Sequence, residues 1–274
     1  MTCANCGLVR LAGSALETNR DDYMDGDKEH VFPADRDRDF GEWAEFRLGQ
    51  LLELHPAVER LAEVGSGTGH FLEVAAKRGI FIKGFDLADH RKRARDAEFE
   101  VSADPFARLG RSRWDAVVAF HVLEHCADPL EAVQLMLESL CGSGIAFVEV
   151  PGILEDAPPA PSMIDSHHQW YFSETTLRRL IEHAGGDVVS VSRVGPTIAE
   201  MNATASVGRK LTDGWQTLKR CAPDFLIRWL RNRLHSRRVE IIDRLASLKK
   251  CRSEDPRLNK PLNLCIFFRC REER

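Results

Sequence analysis

Two histidines and a glutamate fall within five positions of the stretch FHVLEHCADPL, residues 120–130: His121, Glu124 and His125. An imidazole titrates near neutrality, so either histidine could take a proton from a hydroxyl as a general base. Imidazole nitrogens joined by a carboxylate can also hold a divalent cation. The third use is structural: the groups would hydrogen-bond their own loop and lead into the helix announced by Asp128-Pro129. Further along, SHHQW adds His167 and His168 as potential partners.

A second chemical feature lies upstream. In LAEVGSGTGHF, Gly65, Gly67 and Gly69 form G-x-G-x-G between a short apolar run and a helical pattern. Glycines there permit a tight turn and the close approach of a ligand to the backbone. Asp86 ends the next apolar run, where a carboxylate can accept hydrogen bonds from ribose hydroxyls. The dinucleotide fingerprint wants glycine or alanine at position 70, and the chain has His70. Glu63, two residues before the first glycine, suits a ligand with an amino group better than a pyrophosphate.

The elements that must position these groups alternate along the chain. RLAEVG, IFIKGFD, FEVSAD, WDAVVAF, GIAFVEVPG, DVVSVSRVG and LNLCIFFRC read as seven strands. WDAVVAF is almost continuously apolar, as a strand covered on both faces should be. Residues 38–54, HFLEVAAKRG, 88–98, 128–142 and 173–186 read as helices, with Ser173 as an N-cap and Gly79 and Gly185 as stops. This alternation predicts an α/β fold, a Rossmann-like seven-stranded mostly parallel sheet with helices on both faces. His121, Glu124 and His125 then stand beyond the carboxyl end of the fourth strand, where open α/β sheets bind ligands. The proline-rich stretch 151–166 reads as a long loop at the same end, with Trp170 and Tyr171 as pocket or core residues.

Three segments are expected: an irregular leader over 1–36, a catalytic domain over 37–195 with 261–274, and a helical insertion over 196–260 before the last strand. From Arg209 to Lys260 there are 15 Lys/Arg against 6 Asp/Glu, so this stretch carries +9 and the remainder −13, for a net charge of −4. Its apolar residues Leu226, Trp229, Leu230, Leu234, Ile241, Ile242 and Leu245 must bury against something, a second copy in a homodimer being one choice. No apolar run reaches the roughly 18 residues of a membrane span. No signal-peptide pattern opens the chain, and the eight cysteines are scattered, so a cytoplasmic protein with reduced thiols is expected.

EVGSGTG, GFDLA, SADPF, WDAVVAFHVLEHCADP and HHQWYFSETTLRRLIEHAG, in that order, resemble the class I S-adenosylmethionine-dependent methyltransferases. The resemblance covers roughly residues 55–195 plus the last strand. It implies that Gly65, Ser66, Gly67 and Gly69 wrap the methionine part of S-adenosylmethionine and that Glu63 meets its amino-acid moiety. By position Asp86 and Leu87 would hold the ribose, Asp104 would read the adenine amino group, and Phe120 would close the set. A helix N-cap before Pro105 is the other reading of Asp104. His125 matches the histidine of a similar loop in sugar methyltransferases, which makes it the first choice as base, with His121 second. His121-x-x-Glu124-His125 is also similar to the E-x-x-E-H pattern of metal-dependent methyltransferases of ubiquinone and small-RNA pathways. With His168 it would hold a divalent metal, and His121 in place of the first glutamate shifts the preference from magnesium towards zinc or a transition metal.

At the N-terminus, CANCGLVRLA followed by DDYMDG resembles the second half of the zinc-binding leader of sugar and natural-product methyltransferases. A structural zinc wants four ligands, and Cys3 and Cys6 supply two; Cys265 and Cys270 are the remaining candidates, although Cys265 falls in a strand. The expected function is O-methylation of a small-molecule acceptor, a sugar, glycolipid precursor or natural-product scaffold. An RNA 2′-O-methyltransferase is the first rival, motivated by the +9 stretch. That stretch lacks the spaced aromatics of a stacking platform, which argues against nucleic acid. A non-catalytic partner subunit is the second.

Overall fold

The computed structural model describes residues 2–3, 7–10, 37–111, 113–155, 168–197 and 261–271. Nearly all of them belong to one compact unit built from the chain up to Pro158, Asp165–Ser192 and Asn263–Arg274. Almost all of the expected insertion, the whole of the +9 stretch, Cys6 and His167 lie outside the described residues.

Each expected strand forms. In chain order the elements are β1 (Val9–Arg10), α1 (Asp37–Leu54), β2 (Arg60–Val64), α2 (His70–Lys77), β3 (Phe81–Asp86), β4 (Glu98–Val101), β5 (Trp114–Phe120), α3 (Pro129–Ser139), β6 (Leu140–Pro151), β7 (Trp170–Tyr171), α4 (Glu174–His183), β8 (Gly186–Thr197) and β9 (Pro261–Cys270). Seven of the strands make one sheet in the order β4-β3-β2-β5-β6-β9-β8. The pairs β4·β3, β3·β2, β2·β5 and β5·β6 are parallel, and β9 runs antiparallel to β6. From β2 the chain steps outward through β3 to β4, then returns to place β5 on the other side of β2. That reversal opens a crevice at the carboxyl ends of β2 and β5.

Strand side chains alternate between faces, and both faces of the central strands are buried. One face carries Ala62, Val64, Val117, Ala119, Ala146, Val148, Leu264, Ile266 and Phe268, packed with Val133, Met136 and Leu137 of α3 and Leu177 and Ile181 of α4. The opposite face carries Phe120, Phe147 and Phe267 in a row. Phe71 of α2 meets Phe120 edge-on at 5.0 Å, and Phe147 stacks on Phe267 at 3.9 Å. α1 packs against α2 with Ala44, Leu48 and Leu51 fully or almost fully buried. Glu63 and Glu149 alternate onto this second face, the one α1 covers.

Helix boundaries follow their caps. Asp128 accepts from Leu130 and Glu131 amides ahead of α3, with Pro129 at its first position. Ser173 and Thr176 form a capping box on α4. The expected helix over 88–98 does not form. The Lys92 and Arg93 amides donate to Thr68 O instead, at 3.0 and 3.1 Å. The Arg91 guanidinium bonds the carbonyls of Ala94 and Ala97 and lies 4.0 Å over the Phe99 ring. Tertiary partners thus take the backbone groups a helix would need. Within the leader, read as irregular, Val9 and Arg10 pair antiparallel with Tyr171 and Trp170. Arg10 also lies over the Trp170 ring at 5.0 Å. No helix among the described residues is long and apolar enough to cross a membrane.

Candidate active site

The glycine loop joins β2 to α2 at the crevice. Gly65, Gly67 and Gly69 have φ of 75°, 49° and 84°, the left-handed region that favours glycine. The Gly65 amide donates to Phe85 O (2.8 Å) and the Gly67 amide to Asp86 Oδ2 (2.9 Å). Asp86 Oδ1 accepts from the Leu87 amide at 2.7 Å. Burial raises the Asp86 pKa, against the lowering effect of these backbone donors. Space is closed as tightly as conformation. A Cβ on Gly65 would fall on Val122 Cγ2, and one on Gly69 would stand 2.6 Å from Arg93 O. His70 is buried in contact with Thr68 Oγ1 (2.7 Å) and beside the Phe40 ring (5.6 Å). The imidazole thus secures the turn from below. Ser66 likewise is buried, donating to Glu63 O at 3.2 Å.

Glu63 is buried, and burial raises its pKa well above 4.5 despite the nearby charge of Arg47. Its Oε2 has no hydrogen-bond partner. A buried orphan acceptor beside a glycine cradle fits a ligand that brings an amino group. Asp104 is exposed just past β4, and its Oδ1 caps the Phe106–Arg108 turn by accepting from the Ala107 amide at 3.1 Å. Phe120 ends β5 with the Arg47 guanidinium 4.4 Å over its ring.

His121 opens the turn after β5 with φ of 56°, rare for a residue with a Cβ. Its Nδ1 lies 3.3 Å from Glu124 Oε1 and its Nε2 3.1 Å from Glu149 Oε1. Burial would lower the His121 pKa, but hydrogen bonds and charge from both carboxylates outweigh it and lift the value to about 9. Glu149, buried in β6, also receives Arg47 Nε at 2.7 Å, Arg47 Nη2 at 3.0 Å and Asn263 Nδ2 at 2.7 Å. Burial would raise its pKa, yet the His121 and Arg47 hydrogen bonds and charges bring it to about 2. Burial opposes ionisation of Glu124 in the same way, and His121 foremost, then His125, holds its pKa low.

Because its folded value lies above the ordinary 6.5, His121 contributes stability that is fully present below about pH 6.5 and lost as pH rises through about 9. Its side chain keeps 38% of its surface exposed, so solvent screens part of this effect. The urea midpoint is expected to fall between about pH 6.5 and about pH 9, and His121→Gln to flatten that slope. An unchanged slope in His121→Gln would assign it to another group.

The turn Leu123–His125 is pinned from the segment ahead of α4. The Gln169 amide donates to Glu124 O (2.7 Å), Gln169 Nε2 to His125 O (3.1 Å) and Trp170 Nε1 to Cys126 O (2.7 Å). Trp170 thus braces this loop, and Tyr171 is buried. The His125 and His168 rings meet at 4.9 Å. Ligand atoms of Glu124, His125 and His168 lie within 4.8 Å of one another; His121 is outside that group. Among the described residues, Cys3, Cys265 and Cys270 join no such group, and burial pushes the Cys265 thiol pKa far up.

Sequence reading missed Arg47, Glu149 and Asn263. One signal for Glu149 was present: a lone glutamate inside the apolar run AFVEVPG, since a fully buried carboxylate requires partners. Nothing in the sequence named those partners.

Sheet order, glycine cradle and acidic residue at the end of β3 together define a class I S-adenosylmethionine-dependent methyltransferase domain with a Rossmann-like sheet. The chain belongs to the family whose model is described as a methyltransferase domain and matches residues 35–191, more than half of it. It is similar to a biotin biosynthesis bifunctional protein of Cellvibrio japonicus, 29% identical over 152 residues, 50% of this chain and 30% of that protein. It is 27% identical over 117 residues to a ubiquinone biosynthesis O-methyltransferase of Leptothrix cholodnii, 39% of this chain and 48% of that protein. The matches therefore span less than half the length of these curated relatives. A phosphoethanolamine N-methyltransferase 2 of Haemonchus contortus, solved with S-adenosyl-L-methionine, shares the fold with a TM-score of 0.57 and 13% identity, over 95% of this chain and 61% of that one.

Proposed function

We propose that this domain methylates an oxygen of a small molecule, a sugar, glycolipid precursor or natural-product scaffold, with His125 as general base. The observation that carries the reading is the packing of the 121–125 loop directly on the glycine turn, Val122 against Gly65. His125 follows within that loop, at the carboxyl end of β5. S-adenosylmethionine, when bound, supplies a methyl group whose bond to sulfur breaks with the pair staying on sulfur.

The residues here do the rest. Glu63 accepts from the cofactor amino group, the Gly65–Gly69 backbone gives room for the methionine part, and Asp86 with Leu87 holds the ribose. Asp104 serves the adenine edge, and Phe120 closes the floor. His121 is held between Glu124 and Glu149 with a pKa near 9, so at neutral pH it carries its proton and acts as a fixed cation. That leaves His125 to take the acceptor proton as the new oxygen–carbon bond forms. The O-methyltransferase named among the relatives supports oxygen as the acceptor atom.

The test has two stages. Calorimetry should first show S-adenosylhomocysteine binding to the full chain. Radiolabelled methyl transfer to a panel of hydroxylated acceptors should then fall by about 10² to 10⁴ in kcat for His125→Ala, the usual share of a general base. Full activity in His125→Ala would remove the base assignment.

A second reading has its own observation. Glu124, His125 and His168 converge as a His/carboxylate set that fits a zinc or transition-metal ion. Held there, a divalent ion would grip the acceptor oxygens and lower their pKa. About one metal per chain in protein purified without a histidine tag, lost in His125→Ala, would select this reading over the base.

A further inference from the structure

Glu149 stands at a junction that no sequence motif accounts for. Its side chain is fully buried on β6. Three elements aim donors at it: Arg47 from α1, Asn263 from β9 and His121 from the turn after β5, at 2.7, 2.7 and 3.1 Å. The backbone adds a fourth link, the His121 amide donating to Glu149 O at 2.8 Å. At that point His121 holds φ of 56°, a left-handed conformation uncommon for a residue with a Cβ. Directly after the turn, Val122 rests on Gly65, and Glu124 and His125 follow.

We propose that Glu149 is a positioning residue of the methyl-transfer site: by gripping the His121 imidazole it holds the left-handed turn, and so sets where Val122, Glu124 and His125 stand against the glycine loop. The proposal rests on the methyltransferase reading given above. Arg47 brings α1 to the same carboxylate, so the helix covering this face of the sheet and the loop carrying His125 share one anchor. A plain stitch between α1 and β6 would need only the Arg47 pair. The grip on His121 does something more, because Glu124 Oε1 faces the other ring nitrogen at 3.3 Å and the ring stands between two carboxylates.

The test uses the full chain labelled with ¹³C in its ten histidines, with ring signals assigned by single substitutions and all spectra taken at one pH. Glu149→Gln is expected to shift the His125 ring signals. His121→Gly, in which glycine accepts the turn without strain, is expected to shift them too. The double variant should move them no further than His121→Gly alone, since both changes act through one imidazole. Glu149→Asp keeps the charge but withdraws it by one methylene, and carries the same expectation should Glu149→Gln not fold. A His125 signal that stays in place in the Glu149 variants, or shifts that add in the double variant, overturns the proposal. Binding of S-adenosylhomocysteine to the unmodified chain checks the methyltransferase reading separately, because the ring signals report on the loop whether or not the cofactor binds.

Discussion

Gly65→Ala is expected to weaken S-adenosylhomocysteine binding by about a hundredfold or more, roughly 2.7 kcal/mol. Two causes add. Alanine at φ of 75° pays about 1–2 kcal/mol for the left-handed backbone. Its methyl also falls on Val122 Cγ2, so the loop carrying Glu124 and His125 must move off the turn. Gly79→Ala separates the two. Its φ is 77°, nearly the same, yet a Cβ there meets nothing within 4 Å. That variant should lose about 1–2 kcal/mol of stability and bind the ligand as before. Isothermal calorimetry on both, with Gly65→Ala/Val122→Ala as a partial rescue, decides the matter. Gly65→Ala binding as tightly as the parent would mean that the cradle does not hold the cofactor.

The second large effect is on stability. Arg47→Met removes both donors that Arg47 gives to Glu149, whose side chain has no exposed surface. Breaking a buried pair by deleting one partner leaves an uncompensated charge and typically costs about 3–5 kcal/mol. His121 and Asn263 still face the carboxylate, so the lower end, about 3 kcal/mol, is expected. For a chain of this size that corresponds to a drop of about 6–12 °C in the melting midpoint. Adding Glu149→Gln to Arg47→Met should recover part of the loss, because the orphaned charge is gone. Urea unfolding of the two singles and the double measures the coupling. A loss under about 0.5 kcal/mol for Arg47→Met would show that the pair is solvated and that α1 is held by its apolar face alone.

Much of this molecule was legible in its sequence for definite reasons. Strands covered on both faces are continuously apolar, so WDAVVAF and AFVEV announced themselves. Caps are local: Asp128 and Ser173 act within a few residues, and α3 and α4 begin accordingly, with Gly185 just past the end of α4. The end of α3 was not legible: the helix stops at Ser139, short of the expected stop at Gly142, because Leu140 turns extended and opens β6. The glycine loop is local too, since its positive φ values demand glycine at fixed spacing. Strand alternation with helices then placed His121, Glu124 and His125 beyond the carboxyl end of a strand, where open α/β sheets bind ligands; the strand order that puts the crevice between β2 and β5 came only with the fold.

What only the tertiary structure decided involves partners distant in the chain. The helix expected over 88–98 gives way because Thr68 O captures two of its amides. Val9 and Arg10 become a strand because the edge of Trp170–Tyr171 is there to receive them. The separation of the histidines was likewise invisible. His121 turned towards Glu149, while His125 and His168 converged with Glu124. Local spacing places residues on a loop; it does not say which of them a carboxylate on the neighbouring strand will claim. Glu149 gathers Arg47, His121 and Asn263 from 102, 28 and 114 residues away, and buried charge is satisfied by such remote partners because neighbours on a strand point to opposite faces.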